Sequence, residues 1–139
     1  MKISKIILYN EPSVLEIDIK KLKKFIENIF QIKIEIRNNI FENINEKTCE
    51  NIASSRIFNL KKTFQKHIPS IEEISIELEN KDMSNKEEMI LYDGIELSNI
   101  ITELIPNEEK NQDILKKIFT NKLTCTFDEN DFRYHARAL

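Results

Sequence analysis

Residue types able to do acid–base or ligand chemistry crowd into the last twenty positions, TNKLTCTFDENDFRYHARAL, from Thr120 to Leu139. Arg presents a planar fork suited to carboxylates or phosphates, and His titrates near neutrality, so Arg133, His135 and Arg137 together suit the orientation of an anionic group. Asp128 and Asp131 stand beside them. They are read either as walls of a cleft with the basic trio or, more plainly, as salt-bridge partners of Arg133 and Arg137 across a turn. His135 has no orienting partner that the sequence names, which leaves it short of a general base. No catalytic residue is therefore assigned in this chain.

Metal-site patterns fare no better. Asp128, Asn130 and Phe132 alternate as calcium-loop ligands do, but Phe132 brings no oxygen and Arg133 stands where the loop needs its turn glycine. For zinc, Cys49, His67, Cys125 and His135 are the possible ligands; no two lie at ligand spacing, and no HExxH sets two imidazoles on one helical face. No metal ligand and no resident cofactor is expected in this chain. The cysteines form no CxxC pair and read as buried thiols. There is no GxSxG elbow, and Cys125 has no visible activating base. The single glycine, Gly94, excludes phosphate loops, which need several glycines for close approach of backbone amides.

A net charge of −3 argues against nucleic acid, whose nonspecific binding requires a dense positive field. No stretch approaches the length of a membrane-spanning helix. The opening MKISKIILYN is too short an apolar run for a signal peptide, so a cytoplasmic location is expected. At 139 residues the chain has the length of one domain, residues 1–139, with 40% apolar and 32% charged residues as in a globular protein.

The elements that position the tail read as follows. Residues 3–9 form a buried strand closed by Asn10-Glu11-Pro12. Asp18 caps a helix whose stripe is Ile19, Leu22, Ile26 and Ile29, with Phe25 and Phe30 beside it. Ile32, Ile34 and Ile36 alternate with charges as a half-buried strand. Strand, helix and strand at this spacing imply a parallel pair joined by a crossover. Asn45 caps a second helix to about Phe58, with Cys49 in its core face. Ile74, Ile76 and Leu78 fit strand and helix periods alike, and strand is preferred; residues 81–88 read as a polar loop. Residues 89–92 make a short strand that Asp93-Gly94 turns out of. Leu97, Ile100, Ile101, Leu104 and Ile105 form a helix ended by Pro106. A strand from Leu115 leads into the tail. For residues 132–139, a strand with Phe132 and Tyr134 on one face and Arg133, His135 and Arg137 on the other competes with a helix capped by Asp128; strand is preferred.

Two segments, LYDGIELSNIITELIP and FTNKLTCTFDENDFRYHARAL, carry a family likeness. They resemble a mostly archaeal family of proposed metallopeptidases whose members carry similar LYDG, Thr-x-x-Leu and DExDxRYHAR segments. The likeness is close over Leu91–Pro106 and Phe119–Arg137 and holds only as a pattern over the first strand, helix and strand. More loosely, the order of elements is similar to the N-terminal half of an archaemetzincin-type zincin domain. The resemblance implies a mixed α/β fold, a small sheet with a parallel start and helices packed on it, and the extended form of the tail. It implies zinc for a full-length family member, with ligands and catalytic carboxylate in a continuation past the RYHAR segment. On that expectation the chain is incomplete at its C-terminus and inactive alone, and a complementing C-terminal segment or a protein partner pairs with its sheet edge. The alternative is a small α/β module that binds a protein or an anion.

Overall fold

A computed structural model describes residues 2–14, 16–79 and 90–136. In chain order the elements are β1 (Lys5–Tyr9), α1 (Ile19–Phe30), β2 (Lys33–Arg37), α2 (Glu46–Ser54), α3 (Ile71–Glu79), β3 (Leu91–Asp93), α4 (Gly94–Leu104), β4 (Ile114–Ile118), β5 (Leu123–Asp128) and β6 (Arg133–Ala136). The fold is mixed α/β with two small sheets, ordered β2-β1-β4 and β3-β5-β6. The chain gathers into two compact units, one drawn from the segments up to Glu42 and from Leu104 to Asn121, the other from Asn43 to Glu103 and from Lys122 onward.

In the first unit β1 is the central strand and is parallel to both neighbours, Ile6 lying opposite Ile34 of β2 and Leu115 of β4. Burial on both faces is why β1 reads as an unbroken apolar run. Ile6 and Leu8 project toward α1, where they form a core with Ile19 and Ile34, supported by Leu22, Ile26 and Ile36. Asp18 caps α1 by accepting from the Lys21 amide at 3.2 Å, and Gln31 ends it in the left-handed region at φ 51°. Only part of the expected stripe is covered: Phe25, Ile29 and Phe30 are exposed. The rim is ionic. Glu35 pairs with Lys5 at 3.0 Å, with Lys33 at 3.2 Å and with Arg37, and these cations hold its carboxyl down at about 2. Arg37 also reaches Glu109 at 3.0 Å, whose other oxygen accepts the Tyr9 hydroxyl at 2.7 Å.

The second unit departs from expectation at three places. Helix α2 begins at its Asn45 cap but stops at Ser54, short of Phe58. The hydroxyls of Ser54 and Ser55 turn back onto the carbonyls of Glu50 and Ile52, and Arg56 then bridges antiparallel to Tyr92, so backbone pairing with β3 replaces further helix. Residues 71–79 are helix α3, where strand was preferred for Ile74–Leu78. Helical spacing sets Glu73 and Glu77 one turn apart, and both carboxylates reach Arg56, an arrangement that a period of two would not give as directly. Third, Asp93-Gly94 does not lead into a turn. Asp93 Oδ1 accepts the amides of Ile95 and Glu96, both at 3.0 Å, and Gly94 is the first residue of α4. A Cβ on Gly94 would sit 3.3 Å from the Cys125 carbonyl oxygen, so the glycine lets α4 start directly against β5. The expected polar loop at residues 81–88 lies outside the described residues.

Candidate functional site

From Arg133 to Ala136 the tail is extended, as preferred; residues 137–139 lie outside the described residues. β5 and β6 form an antiparallel hairpin in which Asp128 faces Arg133, Phe127 faces Tyr134, Thr126 faces His135 and Cys125 faces Ala136. Period two turns Tyr134 inward, where it is buried, and leaves Arg133 exposed and His135 half-buried on the other face. Phe127 and Tyr134 meet edge-on with centroids 5.2 Å apart, and the Tyr134 hydroxyl donates to Asp93 Oδ2 at 2.7 Å. Burial, with Asp93 as acceptor, pushes that hydroxyl's pKa up. Phe132 departs from the expected alternation: it sits in the turn at φ 53° and is exposed.

That turn gathers the acids. Asp128 Oδ1 accepts the Asn130 amide at 2.9 Å, and Asp131 Oδ2 lies 2.7 Å from His135 Nε2. Among the described residues Asp131 thus pairs with the histidine; Arg137, one of the two arginines expected to bridge to Asp128 or Asp131, lies outside them. One donor atom from each of Asp128, Asp131 and His135 lies within 4.8 Å of the others. Residues 128, 131 and 135 stand at i, i+3 and i+7, one face of the helix that was set aside for the tail; as a strand their spacing gives no common face, and it is the turn, with Phe132 at positive φ, that brings them together. Of the other candidates, Arg133 projects to solvent opposite Asp128, and Arg137 lies outside the described residues. The cysteines are buried free thiols, Cys125 with its pKa pushed up by burial and by the charge of Asp93, so neither offers a nucleophile.

A second constellation went unnoticed in the sequence. Glu77 of α3 is 2% exposed and is held by Arg56 at 2.8 Å, by Lys122 at 2.8 Å and by the Tyr92 hydroxyl. Arg56 extends its other terminal nitrogen to Glu73 at 3.1 Å, which also lies 2.8 Å from His67 Nε2. Burial pushes the Glu77 carboxyl upward, but Lys122, Tyr92 and Arg56 outweigh it and hold the group ionised. Lys122 lies 5.3 Å over the Tyr92 ring. His67, named above among the possible zinc ligands, is half-buried with its ring 4.3 Å from that of Phe58. The one legible trace of this network is the spacing of Glu73 and Glu77, which puts both acids on one helical face.

Searches of curated proteins and of solved structures return no match. A family model described as a probable metallopeptidase family (DUF6775) matches residues 2–139. Such a family implies a metal, and the described group whose donors converge is the Asp128, Asp131 and His135 set. Its chemistry fits a divalent first-row cation: one imidazole nitrogen and two carboxylate oxygens, a number of protein donors that leaves coordination positions open. With its match running from residue 2 to residue 139, the chain belongs to the probable metallopeptidase family.

Proposed function

We propose that the chain serves as part of a zinc-dependent peptidase, with the β5–β6 hairpin offering donors to the cation. The observation that carries this reading is the convergence of Asp128, Asp131 and His135 within 4.8 Å in a member of a metallopeptidase family. Zinc, when bound, supplies Lewis acidity and lowers the pKa of a bound water. The residues of the chain have separate tasks. Asp128 and Asp131 would hold the cation and balance its charge, and His135 would offer it an imidazole nitrogen. Arg133, exposed on the His135 face of β6, is placed to orient a carboxylate or carbonyl of a peptide. The three donors include no further carboxylate to move a proton, so on this reading hydrolysis also draws on groups beyond the hairpin and the chain alone does not cleave peptides.

Calorimetric titration of the chelator-stripped chain with zinc tests the assignment. One saturable site is expected, weakened about tenfold or more by His135→Ala and by Asp131→Asn, and weakened by acid because the ligands must be deprotonated. No saturable binding, or binding that both substitutions leave unchanged, overturns it. A second reading, a strand edge that takes a complementing segment or protein partner, draws on the position of β6 at the outside of the β3-β5-β6 order, where the Tyr134 amide is already taken by the Leu60 carbonyl at 2.7 Å and the remaining edge groups would receive the partner. It predicts that Arg133→Ala weakens partner capture while zinc binding stays intact.

A further inference from the structure

A cleft of about 390 Å³ opens in the second unit, lined by the segment that follows α2 and by Tyr134 of β6. That volume is in the range of small-molecule sites. Its ionisable lining is one-sided. Arg56, Lys62, Lys66 and His67 contribute to the wall, and among the described residues no Asp or Glu does. Lys62 and Lys66 are exposed, and among the described residues neither is ion-paired. Apolar surface stands beside these cations: Phe58 and Ile68 line the cleft and are 70% and 89% exposed. Arg56 is 7% exposed, and its terminal nitrogens are taken by Glu73 and Glu77, so the lysines are the cations of the wall left open to a ligand.

We infer that this cleft binds a carboxylate carried on an apolar or aromatic body, with Lys62 and Lys66 receiving the anion and Phe58 and Tyr134 the body. The site is separate from the proposed metal group: along β6, Tyr134 faces inward to the cleft and His135 to the opposite side. The same chemistry occurs in a free aromatic acid and in the last residue of a peptide, so the test carries both.

The full chain, kept in chelator so that metal plays no part, is titrated calorimetrically with N-acetyl-phenylalanine, with a tetrapeptide ending in phenylalanine, and with the C-terminal amide of each. Binding of either acid, weakened about tenfold or more in its amide, is the expected result. Preference for the free acid over the tetrapeptide identifies a metabolite-like ligand, and the reverse preference a peptide end. Lys62→Ala/Lys66→Ala, whose side chains are exposed and leave the fold intact, is expected to cut affinity about tenfold, and rising salt should weaken binding. Asp131→Asn should leave it unchanged, so this inference and the zinc reading can fail separately. Equal binding of acids and amides, binding that the double substitution does not alter, or no binding of any probe up to about 10 mM overturns the proposal.

Discussion

The two units differ in where charge is buried most deeply. Around β2-β1-β4, apolar side chains fill the interior and the Glu35 ion cluster lies at the rim, where the Glu35 side chain keeps 21% of its surface in contact with solvent. Around β3-β5-β6 a carboxylate shares the interior with Ile52, Leu97 and Cys125: Glu77 is 2% exposed and depends on Arg56, Lys122 and Tyr92. An apolar interior tolerates loss of one contact at the cost of a cavity, whereas an interior built on charge fails when one partner goes, because the others remain buried and unpaired. Both the converging Asp128–Asp131–His135 group and the cationic cleft belong to the unit that buries the Glu77 charge, and perturbed, costly charge burial of this kind gathers at functional regions.

The sharpest break of this comparison is Glu77→Ala. It strands Arg56 and Lys122, and a loss of about 3–5 kcal/mol is expected from urea unfolding. Ile34→Val in the other unit removes one buried methylene for about 0.5–1.5 kcal/mol. If the two substitutions cost the same, the contrast between the interiors is false. Replacing Glu77, Arg56 and Lys122 together with apolar residues of similar size sharpens the point, because a network that serves packing alone would then be dispensable.

The same contrast explains what could be read from the sequence. β1, α1 and β2 were legible because Ile6, Leu8, Ile19 and Ile34 follow the periods of their own elements and meet across one short crossover. Residues 74–78 were misjudged because their isoleucines fit two periods. What decides between them is Arg56, whose contacts to Glu73 and Glu77 reach 17 and 21 residues along the chain and leave no mark in a local pattern. On the strand reading the Asp128, Asp131 and His135 group was illegible for a related reason: a single residue at positive φ, Phe132, closes it, and nothing in the identity of a phenylalanine announces that conformation. Arg133 and His135 were placed correctly on one face, since that needed only strand periodicity.

A smaller effect isolates the contact that ties β6 to the start of α4. Tyr134→Phe removes the donor to Asp93 Oδ2 at 2.7 Å and keeps the ring against Phe127. A hydrogen bond to a charged group is worth about 1.5–3 kcal/mol, so unfolding should shift by that amount. Zinc binding at the hairpin turn should stay intact in this variant, because the donors at Asp128, Asp131 and His135 are untouched. Loss of the site along with the hydrogen bond would mean that the β5–β6 hairpin is held in register mainly from Asp93, and not by its own ladder.

The least costly change probes the rim of the first sheet. Lys5, Arg37 and Lys33 hold the Glu35 carboxyl down to about 2, well below the value of about 4.3 for an unstructured glutamate. A folded-state pKa lower than the unfolded one means that the unfolded chain takes up the proton first, so the stabilisation is complete above the unfolded value and is lost as pH falls toward about 2. Glu35→Gln should therefore be less stable than the parent at neutral pH and indistinguishable from it near the acid end of that window, as read by unfolding midpoints across the range. Because Glu35 is open to water, added salt should shrink the difference at neutral pH, whereas the defect of Glu77→Ala, buried away from counterions, should persist in the same salt. A Glu35 difference that resists salt would mean that the rim of the first sheet is no more solvated than the interior of the second.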